Sequence, residues 1–136
     1  MARVRTLSRY IFGLFFVLAG INHFVHPGFY LNIMPPYLPW HLALVYISGV
    51  AEIGLGLLLL FRRWEAVAAW GLIALLVAVF PANLHMAMHQ ELYPTLPPLG
   101  LWLRLPIQGL LIVWAYWYTR PERAPQRTAR LTEVAE

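Results

Sequence analysis

The chain has 136 residues, 60% of them apolar and 12% charged, against about 45–50% apolar and about 25% charged in a water-soluble domain, which excludes an ordinary soluble fold. It contains no cysteine, so thiol relays, iron–sulfur ligation and thiolate metal centres are excluded as well. The formal charge of +4 rests on arginine alone, and all but Arg104 gather at the ends of apolar runs, a topological bias with no nucleic-acid surface implied.

About 20 helical residues cross about 30 Å of hydrocarbon, and four segments reach that length, roughly 7–26, 41–61, 64–86 and 99–118. The expected fold is all-α: one integral membrane four-helix bundle over residues 1–118, followed by a polar, disordered tail at 119–136. Arg3, Arg5 and Arg9 lie around the start of the first span, Arg62 and Arg63 between the second and third, and Arg120, Arg123, Arg127 and Arg130 after the fourth. The positive-inside rule then places both termini in the cytoplasm and the chain in a bacterial inner membrane. Trp64, Tyr116, Trp117 and Tyr118 would form the inner aromatic belt, with Phe29, Tyr30, Tyr37, Trp40, Tyr93 and Trp102 in the outer one. The first span also has features of a signal peptide, with Val17-Leu18-Ala19 as a loose processing site. Cleavage there would strand Asn22, His23 and His26 as a polar N-terminus, so a retained span is preferred.

The segment HPGFYLNIMPPYLPW after the first span is too apolar for a solvated loop and should cover the mouth of the bundle or lie in the interface. In the second span, GVAEIGLGLLLLF places Glu52 on one face with Ser48, Gly49 and Gly56, small residues that allow close helix approach. The short connection to the third span makes those two helices antiparallel neighbours. Pro81 in VFPANLH frees the carbonyl of Val77 beside Asn83, and Pro106 in LRLPIQ frees that of Trp102 beside Arg104 and Gln108.

At about 1.5 Å per residue from the arginine-rich end, Glu52 lies at about 14 Å, Gln108 at about 16 Å, Asn22 and Arg104 at about 22 Å and Asn83 at about 28 Å. Polar side chains avoid lipid, so these should converge on the bundle interior. A Glu52–Arg104 ion pair, extended by Gln108 and Asn83, would offset the burial of the carboxylate. All five histidines fall in the outer part: His23 and His26, three apart, His85 and His89, four apart, and His41. These close pairs have the spacing of a zinc or copper site, and His23 and His85, at similar depth on two helices, have the placement for a bis-histidine haem, but few acidic ligands lie near, and no metal site is assigned. Asn-His in AGINHFVHPGFY is echoed by Asn-Leu-His in PANLHMAMHQELY, a weak parallel repeat of two hairpins.

The tracts AGINHFVHPGFYLNIMPPYLP, YISGVAEIGLGLLLL, AVFPANLHMAMH and LRLPIQGLLIVWAYWY, in that order, resemble the DoxX-like family of small four-helix membrane proteins over about residues 9–118. The resemblance implies association with redox or oxidative-stress systems and, in some relatives, a subunit of a thiosulfate:quinone oxidoreductase. The lack of cysteine departs from relatives that act with thiols.

The reading that follows is a redox-associated membrane protein binding quinone, or another lipophilic small molecule, in a polar pocket of Asn22, His23, Glu52, Asn83, His85, Arg104 and Gln108. Its alternatives are a non-enzymatic scaffold, anchoring a partner oxidoreductase or a homo-oligomer in the lipid bilayer, and a small transporter or proton path. No nucleophile, phosphate loop or dinucleotide fingerprint is present.

Overall fold

The computed structural model describes residues 2–120, and those residues are helical throughout apart from short connections. They form α1 (Ala2–Val25), α2 (Pro27–Ile33), α3 (His41–Leu59), α4 (Glu65–Met88) and α5 (Pro98–Tyr118), with single 3-10 turns at Arg62–Trp64 and Gln90–Leu92. Four helices are long and apolar enough to cross a membrane. The expected tail lies outside the described residues from 121 onward.

Prolines punctuate the helices as their chemistry requires. Pro27 and Pro98 occupy first-turn positions of α2 and α5, where no amide hydrogen is needed. Pro81 and Pro106 lie inside α4 and α5 without ending them. The proline-rich connection before α3 closes on Trp40, whose φ of 51° places a bulky residue in the left-handed region, at a cost of about 1–3 kcal/mol. The segment expected to be an apolar loop is thus partly α2, which packs against α3 and α1.

α1 and α3 form the tightest pair. A Cβ on Gly13 would meet the Gly56 carbonyl oxygen at 2.8 Å, and one on Gly56 would meet that of Gly13 at 2.7 Å. Gly20 and Gly49 are related in the same way, at 2.6 and 3.0 Å. Two reciprocal glycine contacts, two helical turns apart on antiparallel helices, bring the backbones together and set their register. α5 packs chiefly on α4, and α4 on α3, so the chain forms two antiparallel hairpins, α1–α3 and α4–α5.

The main core, built around Phe12, Phe16, Leu59, Leu72, Ala115 and Tyr118, lies toward the arginine-rich end. A smaller one, Met86, Ala87, Tyr93 and Leu101, lies toward the other. Between them the outer surface is apolar on every long helix: Leu18, Ile47, Val77, Leu110 and Val113 are each more than half exposed. Soluble monomers rarely expose contiguous apolar patches beyond a few hundred Å², and this distribution suits helices solvated by lipid tails. Trp64, Tyr116 and Trp117 are partly exposed as belt residues would be, whereas Tyr118 is fully buried. Its hydroxyl contacts Ser8 at 2.6 Å and accepts from Trp114 Nε1 at 2.9 Å, a satisfied network that draws the ring inward.

Candidate functional site

The polar residues of the helices form separate clusters instead of one pocket. The first lies between α1, α2 and α3. Glu52 faces His23, with Oε2 3.4 Å from Nε2, and His23 Nδ1 donates to the Val45 carbonyl at 2.9 Å. The His23 ring stacks on Tyr30 with centroids 3.8 Å apart, and Asn22 Nδ2 donates to the Tyr30 hydroxyl at 2.8 Å. The short α2 exists, in this respect, to bring Tyr30 back over His23.

The geometry constrains the proton. A carbonyl oxygen can only accept, so Nδ1 carries a hydrogen and the other ring nitrogen faces the carboxyl group. Two bare lone pairs would repel, so the contact is favourable with one proton between Nε2 and Oε2. The pair then sums to zero charge whichever atom holds it, which makes the burial of Glu52 tolerable. Oε2 is inaccessible to solvent and makes no properly aligned hydrogen bond, an unmet acceptor in an otherwise ordered cluster.

This overturns the expected Glu52–Arg104 ion pair. α3 packs on α1 and α4 while α5 packs chiefly on α4, so the counter-group of Glu52 comes from α1, and Arg104 has no ion pair or hydrogen bond among the described residues. Asn83 and Gln108 do meet: Asn83 Nδ2 donates to Gln108 Oε1 at 2.9 Å. Gln108 Nε2 in turn donates to the carbonyl of Leu76, one residue before the Val77 carbonyl expected to be freed by Pro81. This second cluster ties α4 to α5 and is structural in form. His85 belongs to a third, stacked on His89 with centroids 4.3 Å apart, and it approaches the Tyr37 ring and the Tyr93 hydroxyl. His23 Nε2 faces Glu52 while His85 stacks on His89, so His23 and His85 belong to different clusters, and the described residues contain no group of three metal-ligating side chains.

A fourth cluster, at the arginine-rich end, was read from sequence as topology alone. Glu65, at the start of α4, is paired with Arg5 through Oε1 and with Arg9 through Oε2, the latter at 3.2 Å. Arg5 also donates to the carbonyls of Trp117 and Arg120 at the end of α5. Arg5 and Arg9, four apart and therefore on one helix face, were a legible signal for an acidic partner at the same depth.

Beside the first cluster an open cleft of about 640 Å³ is lined by Asn22, Val25, Pro27 and Phe29 among others. Asn22 is the one residue of the first cluster that lines this cleft, and an apolar wall with an amide at its edge is a combination that accommodates a lipophilic molecule with hydrogen-bonding oxygens. No curated protein and no solved structure matches the chain significantly. Residues 12–119 match a family described as a domain of unknown function, DUF8561, and since that match takes in all of α3, α4 and α5, most of α1 and the His23–Glu52 cluster, the chain belongs to the DUF8561 family.

Proposed function

We propose that the protein is a redox-associated integral membrane protein, both termini cytoplasmic, that binds a lipophilic carbonyl compound of the quinone class beside His23 and Glu52. The observation that carries this reading is the buried, unmet Glu52 Oε2 opposite a histidine whose other nitrogen is already committed. Such a pair can hold a proton or release it to a neighbouring oxygen without leaving a net charge stranded in an apolar site. Asn22 and Tyr30 would orient a carbonyl, and Val25, Pro27 and Phe29 would pack its ring or tail. Electrons would come from a partner oxidoreductase, consistent with a DoxX-like kinship inferred from motif order.

A proton path across the whole bundle is disfavoured, because Phe12, Phe16, Leu59 and Leu72 lie fully or nearly fully buried between the outer clusters and the arginine-rich end. The scaffold alternative draws on the buried ion pairs of Glu65, which serve packing alone.

Lipid extraction of the protein purified in mild detergent, followed by mass spectrometry, is expected to yield bound quinone. Glu52→Gln keeps the shape and loses the exchangeable proton. Its quinone occupancy should fall by about tenfold or more, the scale of a hydrogen bond to a charged group, with little change in melting temperature. No extractable quinone together with a lowered melting temperature would establish the scaffold reading.

Orientation is tested directly because the chain has no cysteine of its own. Thr95→Cys, in the exposed connection before α5, should react with a membrane-impermeant maleimide in intact cells, and Arg63→Cys only after permeabilisation. The reverse pattern would place the termini outside.

A further inference from the structure

We infer that the arginine-rich end carries a site for the headgroup of an anionic phospholipid. A cleft of about 380 Å³ opens there, lined by Ala2, Arg3, Thr6, Leu7, Tyr10 and Arg62, so that guanidinium groups from α1 and from the α3–α4 connection border one space. Among the described residues no acidic side chain lines it.

Charge accounting around Arg3 favours an anion there. The described part of this end holds Arg3, Arg5, Arg9, Arg62, Arg63 and Arg120 against a single carboxylate, Glu65. Both oxygens of Glu65 are already taken, by Arg5 and Arg9, so none remains for Arg3. Tyr10 adds a phenolic hydroxyl, and its ring already lies beneath the Arg9 guanidinium at 5.5 Å. Arginine guanidinium groups suit phosphate oxygens because their planar donors can engage two at once.

The surroundings distinguish a lipid from a free phosphate, whose anionic chemistry is shared. Leu7, a lining residue, is 62% exposed, and Ile11 and Leu14 continue the same exposed stripe one and two turns further along α1. Phe61, beside Arg62, is equally exposed. A basic cleft at the end of an apolar stripe matches an amphiphile with its phosphate in the cleft and its acyl chains along the helix. This inference rests on the membrane reading above and is independent of the quinone site.

The test uses the full chain in mild detergent, titrated with dioleoylphosphatidylglycerol, dioleoylphosphatidylcholine or inorganic phosphate, reading bound lipid by native mass spectrometry and thermal stabilisation. Phosphatidylglycerol should bind and stabilise, while the other two should not. The double variant Arg3→Gln, Arg62→Gln should weaken phosphatidylglycerol binding about 30-fold, from about fivefold per guanidinium at a lipid surface. Arg63→Gln, which removes a guanidinium packed on the Trp64 ring and outside the cleft, should keep wild-type binding. Equal stabilisation by phosphatidylcholine, equal stabilisation by inorganic phosphate, or an equal loss in Arg63→Gln would each overturn the site. Resistance of the chain to carbonate extraction from neutral phosphatidylcholine vesicles is measured separately. Loss of that resistance would sink the membrane reading itself, whereas lost lipid selectivity with retained insertion would sink only the cleft.

Discussion

Glu65→Gln is expected to destabilise the protein by about 3–5 kcal/mol, the range found when one partner of a buried ion pair is removed. Arg5, Arg9 and Glu65 retain side-chain exposures of only 12%, 7% and 10%, so water cannot replace the lost carboxylate. The substitution leaves two guanidinium groups facing a neutral amide, and Arg9 Nε already lacks a hydrogen-bond partner. The damage should spread to α5, because Arg5 holds the carbonyls of Trp117 and Arg120 from the same side chain. Thermal unfolding in detergent is the direct measurement. Neutralising the whole group, with Arg5→Met, Arg9→Leu and Glu65→Met together, should recover most of the loss, since it is the uncompensated charge that costs. A wild-type melting temperature in Glu65→Gln would show that these charges are solvated and that the contacts do not hold α1 to α4.

The second large effect is steric. In Gly20→Val the first added carbon alone would lie 2.6 Å from the Gly49 carbonyl oxygen and 2.9 Å from the Ile53 amide nitrogen. Both are backbone atoms, which cannot rotate aside, so α1 and α3 must separate or change register. Overpacking of this kind costs about 1–3 kcal/mol or more. Separation would also pull His23 off Val45 and Glu52, three and more residues along the same interface, so ligand occupancy should fall along with stability. Gly54→Ala is the control, because nothing lies within 4 Å of its added carbon, and it should melt as the wild type does. Equal losses in the two variants would mean that glycine content, and not the reciprocal contact, stabilises the pair.

The four long helices were legible because a run of about 20 apolar residues has few other physical solutions. The small-residue face of α3 was legible for a related reason: helical spacing alone puts Gly49 and Gly56 together, and both meet the backbone of α1. Asn83 and Gln108 were placed on facing helices and do bond. The partner of Glu52 was not legible. Periodicity gives the direction in which a side chain leaves its own helix, but not which neighbour lies in that direction, and only the α1–α3 pairing turns Glu52 toward His23 instead of Arg104. Tyr30 was missed because its role depends on α2, a helix formed from a proline-containing stretch that resembles an irregular loop. Glu65 was missed for a different reason: charges at the end of an apolar run invite a topological explanation, and its burial depends on Arg5 and Arg9 arriving from α1.

The two-hairpin arrangement has a mechanical consequence. The glycine contacts make α1–α3 a stiff blade, and the Asn83–Gln108–Leu76 bonds tie α4 to α5 within the other. Glu65, Tyr118 and the short turn after Leu59 clamp these blades at one extremity. Because these ties and the main core lie toward the same end, a single disruption there, such as loss of the Glu65 carboxylate, unfastens one hairpin from the other while leaving the bonds inside each intact.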